Sequence, residues 1–136
     1  MMKMMKKIIV LVISLHLATV AFPQGEQSAV MQNVSVEEFK KLMDTRPDAV
    51  IVDLRTPDEI AKGKIAGSIA IDFFGQTFEP SIGALDRNKV YLLYCGSGSR
   101  SGETSELMNK MGFKTLYNLE GGFRQWVKRK MPVASK

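Results

Sequence analysis

Cysteine and histidine are nearly absent from this sequence. Cys95 is the only cysteine and His16 the only histidine in 136 residues. One cysteine excludes a disulfide scaffold and a four-thiolate zinc or iron–sulfur site within one chain. One histidine excludes a multi-histidine metal centre. Long apolar runs are missing as well. The longest, Ile8–Phe22, covers 15 residues, fewer than the roughly 20 that a spanning helix needs. A hydrophobic share of 45% against 24% charged residues excludes intrinsic disorder, collagen and a multi-span membrane protein. The length allows one domain, since domains typically run to about 100–150 residues. There is no internal repeat or low-complexity tract.

The N-terminal stretch does not read as part of the fold. Lys3, Lys6 and Lys7 precede the apolar run, and small or β-branched residues, Ala18 to Ala21, close it before Phe22-Pro23. A basic start, a short apolar middle and a small-residue exit predict a signal peptide over residues 1–21. The expected cut follows Ala21, or falls as late as Gly25. The domain is then 26–136, exported to the periplasm or secreted, with no membrane span after processing. His16 goes with the signal, which removes histidine catalysis from the folded part. No cysteine lies near the exit, so lipid attachment there is excluded. The chain carries +5, and the three lysines of residues 1–21 stand without acids, which leaves +2. No block of five like charges remains, so nothing supports nucleic-acid binding. Lys128-Arg129-Lys130 reads as a solvated helix end, where cations suit the dipole.

The rest alternates strand and helix patterns. A first strand is expected at Val30–Val34. Ser35 and Glu38 form a capping box for a helix with Val36, Phe39, Leu42 and Met43 on one face. Arg46-Pro47-Asp48 is a turn. Ala49–Leu54 is an apolar run of the kind buried on both faces in a parallel sheet. Thr56-Pro57-Asp58-Glu59 is a second capping box with proline at the first helical position, its helix running to Lys62 and ending at Gly63. A short strand follows at Ser68–Ile71 and a helix near Pro80–Leu85. Val90–Tyr94 is the central strand. A helix from Ser101 to Met111, a strand at Thr115–Leu119, a Glu120-Gly121-Gly122 turn and a helix from Phe123 to Lys130 complete the chain. The pattern predicts an α/β fold with a mainly parallel central sheet flanked by helices.

The chemistry concentrates where the Val90–Tyr94 strand ends. Ligands of open α/β sheets bind at the carboxyl ends of strands. Cys95 stands there, followed by Gly96-Ser97-Gly98-Ser99-Arg100 and then a helix. Backbone N–H groups of such a loop form an anion-binding nest. The helix N-terminus adds partial positive charge and Arg100 a full one. All three favour thiolate, lowering the pKa by one to several units from about 8.5. The thiolate is the competent nucleophile, and the same field would hold an anionic substrate. A lone cysteine in an intracellular protein is ordinarily a small buried hydrophobe. Here an unpaired cysteine in an exported chain, among neighbours that are not core residues, favours the reactive reading.

These residues match a family pattern. From Val30 to Val133 the chain resembles the single-domain rhodanese (thiosulfate sulfurtransferase) family. Val50–Arg55 looks like its "D-x-R" strand end, and Thr56-Pro57-Asp58-Glu59 like the helix start that follows it. Gly63–Ile69 is similar to "GHIPGA", and Tyr94–Ser101 to the active-site loop "C-R-S-G-x-R-S". Leu119–Trp126 is close to "L-x-G-G-x-x-x-W". Each motif alone is modest; four in order, at family spacing, are specific.

The resemblance implies a rhodanese-like domain in which Cys95 takes the outer sulfur of thiosulfate or a persulfide and becomes a persulfide. Gly96, Ser97, Gly98, Ser99 and Arg100 would cradle the sulfur and the anionic donor. Asp53, Arg55 and Ser101 would brace the site. No metal or organic cofactor is implied. The acceptor would be a thiol or cyanide, with a redox or sulfur-relay protein as a further partner. Lys64, Ala66 and Gly96 depart from the family's usual histidine, proline and arginine. The first two predict altered local packing, and Gly96 removes a cation from the mouth. Two rival readings share this sequence. A cysteine phosphatase or arsenate reductase has five residues between cysteine and arginine, where this chain has four. A non-catalytic sulfur carrier would share the first step of persulfide loading.

Overall fold

The computed structural model describes residues 29–135. The expected signal peptide and its cleavage region lie outside the described residues. The elements run β1 (Val30–Val34), α1 (Val36–Thr45), β2 (Val50–Asp53), α2 (Pro57–Ile60), β3 (Ile69–Ala70), α3 (Phe78–Gly83), β4 (Val90–Tyr94), α4 (Ser99–Lys110), β5 (Thr115–Leu119) and α5 (Gly122–Lys128). The strands form one sheet in the order β1-β5-β4-β2-β3, and every neighbouring pair is parallel. Parallel neighbours require crossover connections, which the helices and the segment before β3 supply.

All five residues of β4 are buried, and their alternation builds two cores. Tyr91, Leu93 and then Cys95 join Val52, Leu54, Met108, Phe113 and Leu116 on one side. Leu92 and Tyr94 join Val36, Phe39, Ile65, Leu119 and Trp126 on the other. Side chains two apart share a face of a strand, so Leu93 already determines that the Cys95 side chain falls on the α4 side. Strand register adds a second alignment. Asp53 pairs with Tyr94 across β2 and β4, which brings the Asp53–Arg55 segment beside Cys95.

Several boundaries differ from the sequence reading. α4 begins at Ser99 rather than Ser101, so Arg100 lies in its first turn. Gly98 caps that helix with φ +99°, a left-handed conformation that side chains disfavour. The helix expected to reach Lys62 stops at Ile60. The one expected near Pro80–Leu85 occupies Phe78–Gly83, anchored by fully buried Ile82. β3 has two residues rather than four, and α5 covers Gly122–Lys128. Thr56 and Glu59 complete their capping box. Ser35 accepts from the Glu38 N–H at 3.2 Å, but the Glu38 carboxylate turns to Lys41 instead of returning the bond. Lys64 acts through its backbone, exchanging two hydrogen bonds with Ala134. Among the described residues, no helix is long and apolar enough to cross a membrane.

Candidate active site

Cys95 follows β4 directly and its side chain is fully buried, while the loop above it is partly exposed. The sulfur accepts a hydrogen bond from the Gly98 N–H at 3.1 Å and from Ser101 Oγ at 3.3 Å. Burial by itself raises a thiol pKa. Here the Ser101 hydroxyl and the backbone N–H groups of Ser101, Gly98 and Ser97 more than offset burial, and the Cys95 thiol is held below its ordinary value. The donors around the sulfur therefore shift this buried thiol toward thiolate, under a shallow cover.

The far side of the site is closed by α5. Phe123 N–H donates to Cys95 O at 2.7 Å and Arg124 N–H to Gly96 O at 3.1 Å. This close approach explains Gly122. It has φ +60°, and a Cβ there would lie 2.6 Å from Cys95 O. Asn118, on β5, holds the loop from below. Its side-chain amide donates to Gly98 O at 3.2 Å and to Asn33 Oδ1 at 2.9 Å.

Asp53 and Arg55 are both buried. Arg55 grips the carboxylate through Nε and Nη2, at 3.0 and 2.7 Å, and gives a further bond to Gly63 O at 2.9 Å. Its guanidinium lies 3.9 Å from the centroid of the Phe123 ring. Tyr94 also donates to Asp53, and its oxygen accepts from the Ile65 N–H at 3.1 Å. Burial and the adjacent carboxylate push the Tyr94 hydroxyl up to about 12, so it remains a donor. A polar knot thus joins the ends of β2 and β4, the Gly63–Ile65 segment and α5.

Arg100 departs from the expected free cation. Its guanidinium makes a two-point bridge to Glu59 at 2.8 and 2.9 Å. The bond from Arg100 holds the Glu59 carboxyl down to about 2 against the opposing effect of burial. The bridge lies over Gly96, where a Cβ would stand 3.1 Å from Arg100 Nη2 and 3.2 Å from Glu59 Oε1. Glycine at 96 gives the bridge its room.

Residues 35–129 match the family model described as a rhodanese-like domain. The chain belongs to the rhodanese-like family. Among rhodanese-like relatives, the thiosulfate sulfurtransferase GlpE of Pseudomonas aeruginosa is 30% identical over 99 residues, which are 73% of this chain and 86% of that protein. The crystal structure of a rhodanese-related protein from Thermoplasma volcanium aligns with a TM-score of 0.68 at 25% identity, covering 77% of this chain and 99% of that one. The polysulfide-sulfur transferase homodimer of Wolinella succinogenes aligns with a TM-score of 0.66 at 28% identity, covering 78% and 80%.

In this rhodanese-like chain the four segments that carried the resemblance meet at one place. Of the expected site residues, Gly98 and Ser101 touch the sulfur, and Asp53 and Arg55 pair with each other beneath the site. The Ser97 and Ser99 hydroxyls lie on the exposed rim, 3.4 Å from each other. Arg100 faces Glu59. Reading the sequence missed Glu59, Tyr94, Asn118 and Phe123 as parts of this arrangement. Glu59 had a signal, as the acid of its capping box, but that motif accounts for a helix start and not for a bridge to a residue 41 positions away. Asn118 carried none beyond being a polar residue inside a predicted strand.

Proposed function

We propose that this chain is a sulfurtransferase that carries sulfane sulfur on Cys95. The observation that supports this best is the buried sulfur at the end of β4, held by the Gly98 N–H and the Ser101 hydroxyl, which shift it toward thiolate. The thiolate attacks the outer sulfur of thiosulfate or of a persulfide donor. A new S–S bond forms to Cys95, the donor's own S–S bond breaks, and sulfite or the donor thiolate leaves with the electron pair. The same nest of donors then stabilises the terminal sulfur of the persulfide. A thiophilic acceptor, thiol or cyanide, takes that sulfur and returns Cys95 as thiolate. The cycle uses the chain's own groups and no cofactor. A sulfur-relay or redox protein is a further partner on this reading.

Intact mass measurement tests the reading. Thiosulfate should add one sulfur atom to the protein, removable by cyanide or a thiol, and Cys95→Ser should show no adduct. An adduct of equal yield in Cys95→Ser overturns the mechanism. An aryl phosphate offered to the same preparation should not turn over, since four residues rather than five separate Cys95 from Arg100. Phosphate release that depends on Cys95 would favour the phosphatase reading.

We also infer that the protein acts outside the cytoplasm, on the support of the basic and apolar pattern in residues 1–21. Protein recovered from the envelope or medium should begin between Phe22 and Glu26. A start at Met1 or Met2 there overturns this.

A further inference from the structure

A groove of about 310 Å³ opens beside Gly96, between α2 and α5, lined by Arg55, Glu59, Lys62, Phe123, Arg124 and Val127. Its inner end is tied to the backbone of the active-site loop, because the Phe123 and Arg124 N–H groups donate to the Cys95 and Gly96 carbonyls. Its charges do not cancel. Arg55 is neutralised by Asp53 and Glu59 by Arg100. Lys62 and Arg124 are exposed, and among the described residues neither is ion-paired to an acid. The groove therefore presents two uncompensated cations. Between them lies apolar surface: Phe123 is half-buried, and Val127 is 49% exposed. An inorganic anion would meet the cations and leave the apolar floor and most of the volume unused. Glycine at 96 keeps the inner end open, since any side chain there would crowd the Glu59–Arg100 bridge.

We propose that this groove is a subsite for a small organic thiol bearing carboxylates, the acceptor of sulfur from Cys95. Charge complementarity selects the occupant. Carboxylates meet Lys62 and Arg124, the carbon skeleton lies on Phe123 and Val127, and the thiol is directed past Gly96. The assignment rests on the sulfurtransferase reading. The acceptor thiolate bonds to the outer sulfur of the Cys95 persulfide, the bond between that sulfur and Cys95 Sγ breaks, and Cys95 leaves as thiolate. The products are the acceptor's persulfide anion and the resting site, with no other oxidant or reductant. The cations Lys62 and Arg124 supply, from the groove side, the positive charge that glycine at 96 does not.

Two measurements test this. The first needs no turnover: S-methylglutathione, with two carboxylates and no free thiol, is titrated into the unloaded protein and followed by NMR. It should bind about tenfold or more tightly than its dimethyl ester, a factor that corresponds to one charge-assisted contact. Lys62→Gln with Arg124→Gln, and separately Arg124→Glu, should remove that preference. Both side chains are solvent-facing, and circular dichroism checks that the variants remain folded. In the second, protein preloaded with thiosulfate is discharged by glutathione or by 2-mercaptoethanol. KM for glutathione should be lower in the wild type and should rise about tenfold in the double variant. Equal binding of acid and ester, or variants that keep the preference, overturns the subsite. Failure of thiosulfate to load Cys95 counts against the sulfurtransferase reading, and the binding titration still decides the subsite.

Discussion

A thiol without solvent exposure normally stays protonated, because burial disfavours charge. Cys95 is fully buried yet shifted toward thiolate, and Ser101 Oγ is the side-chain donor responsible. A hydrogen bond to a charged group is worth about 1.5–3 kcal/mol, and one pKa unit corresponds to about 1.4 kcal/mol. Ser101→Ala should therefore raise the midpoint of Cys95 alkylation by roughly one to two units, read as the pH dependence of iodoacetamide labelling by intact mass. Ser101→Thr keeps the hydroxyl and should restore most of the shift. An unmoved midpoint in the alanine variant would assign the whole effect to the backbone N–H groups. Because the thiolate is the nucleophile, thiosulfate loading in Ser101→Ala should slow at neutral pH and recover as pH rises.

At the scale of elements, α2 is lightly anchored and informative. It has four residues, none of them buried, so packing cannot hold it. Its capping box and the Glu59–Arg100 bridge to α4 do so instead. Glu59 is depressed from 4.5 to about 2, chiefly by the bond from Arg100. A carboxylate with a lowered folded-state pKa stabilises above its unfolded value, and that contribution is lost as pH falls through the folded value. Glu59→Gln should therefore lower the melting temperature at pH 7, and the gap from wild type should close between pH 4.5 and 2. The side chain is partly exposed, so the loss at neutral pH should stay within the ~1 kcal/mol typical of solvent-facing pairs. A gap that persists unchanged at pH 2 would mean that the bridge contributes nothing to stability.

Across the whole molecule, the sheet separates two cores with different work. The side with Met108, Phe113 and Leu116 also holds Cys95. The other is built around Phe39, whose ring meets those of Tyr94 and Trp126 edge-on at 6.4 and 6.2 Å. Phe39 is fully buried, and replacing such a ring by alanine costs about 3–5 kcal/mol. Phe39→Ala should lower the unfolding free energy obtained from urea titration by that amount. The fraction that remains folded should still take up sulfur from thiosulfate, because Phe39 lies across the sheet from the sulfur. A variant of wild-type stability would contradict the packing described here.

The order of elements, the parallel sheet and the position of Cys95 at the end of Val90–Tyr94 were legible in the sequence. They rest on local signals: apolar runs, capping residues and glycines, each acting over a few neighbours. Helix ends were less legible. Ser99 and Arg100 read as loop residues, yet Gly98 in its left-handed conformation starts the helix before them. What only the tertiary structure decided was pairing between distant residues. Arg100, by sequence a free cation beside the thiol, binds Glu59, and Gly122 packs on the Cys95 carbonyl. Lys62 and Arg124, 62 positions apart in the chain, face one groove. Local pattern determines which strand and helix form, because those energies are short-ranged. Which charge is neutralised and which is left for a ligand depends on strand order and crossover geometry, and on those the sequence pattern is silent.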